Sequence, residues 1–152
     1  MSNVLADDEL LIERWFDAPP LDLFRIWSAR AHLMCWWGPK GFTCTAFDLD
    51  FREGGTWRAC IASDTHPEIW MCGTYREILP GKRLVFSFIW EDDLARGAPE
   101  MLVTVNFEPD GTGTRQRFRQ APFATVEGRD NHLSGWSECL DREAAYLLRR
   151  EG

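Results

Sequence analysis

In the stretch HLSGWSECLDREAAYL (residues 132–147), the residues Trp136, Leu140, Glu143 and Leu147 are spaced 4, 3 and 4, which puts them on one stripe of a helix. A carboxyl group on an apolar stripe has two readings. If the stripe is covered, Glu143 is a polar anchor or a proton donor and acceptor in the interior. Its acid form is then favoured, and it needs an arginine or a hydrogen-bond donor nearby. If the end of the helix is half exposed, Glu143 simply reaches water. It is the one weak candidate for a catalytic group; the catalytic residues are otherwise unknown. His132 opens the same helix, where a histidine is more often structural than functional. His32 and His66 have no partner visible in the sequence. No H-x-x-x-H or C-x-x-C spacing occurs, so no metal site and no cofactor are expected.

No serine stands in a G-x-S-x-G elbow or other nucleophile setting. Gly111 and Gly113 fall in a hairpin turn rather than before a helix, so they are no dinucleotide loop. The pair Gly54-Gly55 reads as turn geometry. The five cysteines, Cys35, Cys44, Cys60, Cys72 and Cys139, are odd in number and widely spaced. They are expected to be reduced, mostly buried apolar residues rather than a disulfide framework.

Aromatic residues carry the stronger signal. The chain has eight tryptophans in 152 residues. Trp36 and Trp37 are adjacent, just before Gly38-Pro39, which ends a helix. Neighbouring helical side chains point about 100° apart, so either one ring is exposed or the segment is wrapped on two sides, as in the lid or wall of a cavity. Trp57, Trp70, Phe86, Phe88, Trp90, Phe107, Phe118 and Trp136 recur through strand-like segments. Most are core, yet there is more aromatic surface than a solid core needs, and some are expected to line a pocket.

These residues need elements to hold them. ELLIERWF reads as a strand, closed by Pro19-Pro20. Short helices are predicted from Pro20 to Ser28 and from Arg30 to Trp36. Strands follow over 42–51, 56–62, 68–78 and 83–90, then a polar loop over 91–100. The segment 101–120 is a hairpin around Pro109-Asp110-Gly111. It carries Val103, Val105 and Phe107 on one face, and Arg115, Arg117 and Arg119 opposite Gln116 and Phe118. The last helix is predicted from about Asn131 to Arg150, capped by Asp130 or Asn131. A many-stranded sheet with one apolar face must be covered, and only this helix is long enough to cover it.

The chain has no repeat or linker and reads as one domain over residues 1–152. Its formal net charge of −7 argues against nucleic acid and against anionic membranes as partners. No long apolar run and no leader-like start are seen, so a cytoplasmic location is expected.

Taken together, FDAPPLDLFRIWS (16–28), HLMCWWGPKGFT (32–43), DFREGGTWR (50–58), GTYREILPGKRLVFSF (73–88), VTVNFEPDGTGTR (103–115) and HLSGWSECLDREAAYL (132–147) resemble the START-like, birch-pollen-allergen-like (SRPBCC) superfamily. They are most similar to its branch of heat-shock-protein ATPase activator homologues. The resemblance implies an α+β helix-grip fold. In that fold a curved antiparallel sheet of about six to seven strands grips a long C-terminal helix over a hydrophobic cavity, with two short helices after the first strand. Related sequences usually carry an apolar residue where this chain has Glu143.

Three functions follow as expectations. The first is a binding protein for a small hydrophobic ligand, aromatic or lipid-like. Its site would be drawn from Trp36, Trp37, Trp57, Trp70, Tyr75, Phe86, Phe88, Phe107, Phe118, Trp136, Leu140 and Glu143, with Glu143 or Tyr75 orienting the ligand. The second is an enzyme of the polyketide cyclase or hydrolase type using the same cavity. The third is a co-chaperone-like module, with the arginines at 115, 117 and 119 meeting an acidic chaperone partner. A homodimer through a sheet edge or the outer sheet face stays open.

Overall fold

The computed structural model describes residues 7–151. The start of the chain, read above for a leader, lies outside them. Seven strands form one antiparallel sheet in the order β1-β7-β6-β5-β4-β3-β2. They are β1 (Leu10–Phe16), β2 (Thr43–Leu49), β3 (Thr56–Ala62), β4 (Ile69–Leu79), β5 (Arg83–Trp90), β6 (Met101–Asp110) and β7 (Gly113–Ala121). The helices are α1 (Pro20–Arg25), α2 (Arg30–Trp36), α3 (Glu91–Ala95) and α4 (Val126–Glu151). This is the α+β helix-grip arrangement, with α4 held against the concave face of the sheet.

Alternation along the strands selects that face. Trp57, Ala59 and Ile61 of β3 are buried, as are Val103, Val105 and Phe107 of β6. Two register shifts, between Cys44 and Ala46 and between Tyr75 and Glu77, interrupt the edge half of the sheet. Such bulges bend a strand and raise its twist. Close approach of β3, β4 and β5 depends on Gly73. A Cβ there would lie 1.8 Å from the Ser87 carbonyl oxygen, the same oxygen that accepts the Trp57 indole N–H at 3.1 Å.

Three boundaries differ from the sequence reading. The segment 91–100 is not all loop. Its first five residues form α3, whose opening turn holds Glu91, Asp92 and Asp93, a placement the helix dipole favours. Pro109 and Asp110 stay in β6, paired with Thr114 and Gly113, so the turn is Gly111-Thr112. Helix α4 starts at Val126, five residues before the expected Asn131. Thr125 supplies the cap, its hydroxyl accepting the Gly128 N–H at 2.9 Å; neither Asp130 nor Asn131 does.

Candidate functional site

The adjacent tryptophans part where α2 ends, because Trp36 is its last residue and Trp37 has extended backbone. Trp36 is wholly buried against Trp27, with ring centroids 4.8 Å apart, and donates its indole N–H to the Ile26 carbonyl at 3.1 Å. Trp37, also buried and 6.3 Å from Trp27, lines a cavity of about 830 Å³. The loop Gly38-Pro39 and Phe42, Ile61 of β3, Ile69 and Met71 of β4, Phe88 and Trp90 of β5, and Asp93 of α3 enclose it. The first half of α4 closes it through Gly128, Asn131, His132, Gly135, Trp136 and Cys139, with His66 also on the lining. A volume of this size, mostly apolar with a few polar groups, is the usual form of a small-molecule site.

The polar groups are tied to the wall. The Trp90 indole N–H donates to His132 Nε2 at 2.9 Å. An indole nitrogen can only donate, so Nε2 is bare and the proton sits on Nδ1, which meets Gln120 Oε1 at 3.2 Å. The same oxygen accepts the Trp136 indole N–H at 2.8 Å. Burial pushes the His132 pKa down to about 4, against a small upward pull from Asp93. His132 is therefore neutral at pH 7. Burial pushes the Cys139 thiol up to about 12, so it keeps its proton and is no nucleophile near neutrality. All five cysteines are free; Cys44, Cys60 and Cys139 are buried.

Arg142 fixes the rim from behind. Its Nη1 lies 2.8 Å from the Gly38 carbonyl oxygen, 3.1 Å from that of Phe42, and 3.4 Å from those of Trp37 and Pro39. The α2–β2 loop is thereby held over α4.

Of the residues expected at the site, Trp37, Phe88 and Trp136 line the cavity. Trp57, Tyr75 and Phe86 lie deeper, around a hollow of about 10 Å³ that no ligand could enter. Phe107, Phe118, Leu140 and Trp36 pack in the core. Trp70 sits on the opposite face of the sheet, where the Arg58 guanidinium lies 3.8 Å over its ring. Glu143 is wholly buried, so the half-exposed reading of its helix end does not hold. It is also off the cavity lining. Its carboxylate accepts the Trp27 indole N–H at 2.8 Å and the Gln116 amide N–H at 3.0 Å. Burial raises its pKa to about 7, with those two hydrogen bonds pulling the other way. The arginines read as partner contacts are paired within the chain: Arg115 with Asp110, Arg117 with Glu13 and Glu108, and Arg119 with Glu9.

Sequence reasoning missed Asp93, hidden in an acidic run taken for loop. It also missed Gly135, a helix-interior glycine with no alternation to flag it. The His132–Trp90 pair joins residues 42 positions apart and leaves no local trace.

Among the described residues, no helix is long and apolar enough to cross a membrane. Solved structures share this architecture. Protein CV1439 of Chromobacterium violaceum superposes with a TM-score of 0.84 at 24% identity, over 93% of this chain and 98% of that one. The AHSA1 protein SPO3351 of Silicibacter pomeroyi does so with a TM-score of 0.83 at 28% identity, over 93% of this chain and 99% of that one. SA2116 of Staphylococcus aureus, described as a protein of unknown function, matches with a TM-score of 0.77 at 16% identity, over 94% of each chain; at that identity the likeness speaks to the fold alone. No curated protein sequence matches the chain. The family model for "Activator of Hsp90 ATPase homolog 1-like protein" matches residues 17–147, and the chain belongs to that family.

Proposed function

We propose that the protein binds a small hydrophobic molecule in the cavity between the sheet and the first half of α4. The observation that carries this reading is Gly135. It lies inside a 26-residue helix, where glycine is about 1 kcal/mol less favourable than alanine. Tight packing is the usual reason to keep a glycine there. A Cβ on Gly135 would meet nothing within 4 Å, because the cavity opens over it. The wall opposite is Trp37, Phe88, Trp90 and Met71, which offers apolar burial at about 25 cal/mol per Å². The enzyme alternative has less support, since Glu143 is sealed away from the cavity and His132 has both nitrogens engaged.

The test is a titration with 2-naphthalenemethanol, followed through the tryptophan indole N–H resonances. Trp37, Trp90 and Trp136 should shift, while Trp27 and Trp36, whose N–H groups are bonded in the core, should not. If no indole signal responds up to millimolar ligand, the reading is overturned. Native mass spectrometry with organic extraction of the purified protein would identify any molecule that it carries.

A further inference from the structure

The charge of the lining narrows the class of ligand. Resting on the binding role above, we propose that the cavity selects an organic cation: an aromatic body carrying an amine or ammonium group, seated among the indoles with its charge toward Asp93.

Four observations meet here. No lysine or arginine is among the residues that line the cavity, and Asp93 is the one carboxylate. Second, the walls are π systems turned at right angles to one another. Trp37 and Trp136 are 5.3 Å apart at 89°, and Phe88 and Trp90 are 5.3 Å apart at 88°. Aromatic faces attract cations, tryptophan most strongly, and the attraction grows as water is excluded. Third, the basic groups nearby are engaged within the chain; His66, also on the lining, has its Nδ1 2.8 Å from the Pro67 carbonyl oxygen. His132 is held as its neutral tautomer by Trp90 and Gln120. Arg142 sits behind the rim loop with its Nη1 turned to four carbonyl oxygens. Fourth, the opening turn of α3 is Glu91-Asp92-Asp93, and the whole chain carries a net charge of −7, so the surrounding field draws cations in.

Asp93 has a competing partner, Arg96, three residues on. That arginine is largely exposed, and exposed pairs of this spacing hold only weakly. A desolvated ligand cation can share the carboxylate. A carboxylate or sulfonate ligand would instead meet the Asp93 carboxylate, with only the exposed Arg96 to offset the repulsion.

Three naphthalenes of matched size separate the outcomes: 2-(aminomethyl)naphthalene, 2-naphthalenemethanol and 2-naphthoate, titrated at pH 7 with the indole readout. The amine is expected to bind at least tenfold more tightly than the naphthoate, with the alcohol between them. Asp93→Asn should bring the amine and the alcohol within about twofold of each other, whereas Arg96→Ala should tighten the amine further. Asp93 lies on the five-residue surface helix α3 and Arg96 is the residue that follows it, so the rest of the spectrum reports that the fold is intact. Binding of the alcohol together with equal or tighter binding of the naphthoate overturns the cation preference and leaves the binding role standing. Failure of all three to bind overturns the binding role, and this inference with it.

Discussion

The Trp90 indole N–H donates to His132 Nε2 at 2.9 Å, which makes a histidine on the cavity wall a fixed neutral acceptor. The folded pKa of about 4 lies below the ordinary 6.5, so the unfolded chain binds the extra proton first as pH falls. The stabilisation is complete above pH 6.5 and is lost as pH drops toward 4. It amounts to roughly 3 kcal/mol at most, less for a ring that is only part-buried. Imidazole nitrogen resonances should report the Nδ1–H tautomer and a midpoint near 4. A midpoint near 6.5 would show that the ring is not shielded from water in solution.

Glu143 has the opposite sign. Its folded pKa of about 7 is above the ordinary 4.5, so the folded state holds its proton longer than the unfolded chain does. Stability is highest below pH 4.5, falls as pH rises to 7, and is level beyond. The full effect is roughly 3 kcal/mol. Glu143→Gln keeps the shape: its amide oxygen can accept the Trp27 indole N–H, and its NH2 can donate to the Gln116 oxygen once the Gln116 amide is turned. The variant should match the parent at pH 4.5 and exceed it by roughly 2–3 kcal/mol at pH 8 in urea unfolding. Because the two groups oppose each other between pH 4.5 and 6.5, the parent should be nearly flat there. The glutamine variant should then show the His132 slope alone. A variant less stable than the parent at pH 8 would mean that the carboxylate is stabilised by more than these two donors.

At Gly135, space and stability can be separated. Gly135→Ala adds helix propensity worth about 0.5–1 kcal/mol and meets no neighbour within 4 Å. Gly135→Leu goes further and fills the cavity beside Trp37 and Trp90. The leucine variant should unfold at an equal or higher temperature than the parent and lose affinity for 2-naphthalenemethanol by at least tenfold. Undiminished binding in that variant would place the ligand elsewhere. Gly73→Ala is the contrasting case. Its Cβ would strike the Ser87 carbonyl oxygen at 1.8 Å, so it should disrupt the β4–β5 pairing outright.

How much of this was visible beforehand depended on whether the signal was local. Apolar and polar residues alternate along β6, so the shared face of Val103, Val105 and Phe107 follows from period alone. The stretch Trp70-Met71-Cys72 is apolar on both faces, and alternation is silent there. Trp70 was read inward, whereas Arg58 covers it on the outer face. The stripe spacing found Glu143. Its exclusion from water depends on Trp27 and Gln116, which are 116 and 27 residues away, and no helical pattern can show that. The site suffered most, because its polar members come from a short acidic helix, a strand end and a helix start that meet only in three dimensions.

The rim makes the last test. Arg142 joins α4 to the carbonyls of Trp37, Gly38, Pro39 and Phe42, and Glu138 adds a contact to the Lys40 N–H at 3.2 Å. Hydrogen bonds from a charged donor contribute about 1.5–3 kcal/mol, so Arg142→Ala should destabilise the fold by roughly that amount. The loss should fall unevenly. Carbonyls left without their donor loosen the loop, so the amides of Gly38, Lys40, Gly41 and Phe42 should exchange much faster with solvent, while those of β6 and β7 should quicken only in step with the loss of global stability. Ligand affinity should fall as well, since Gly38, Pro39 and Phe42 form one wall of the cavity. Arg142→Lys would keep the charge and lose the planar fork, and should recover part of the stability and less of the loop protection. If exchange in the loop is unchanged in the alanine variant, the rim is held by the packing of Trp37 and Phe42 rather than by the arginine.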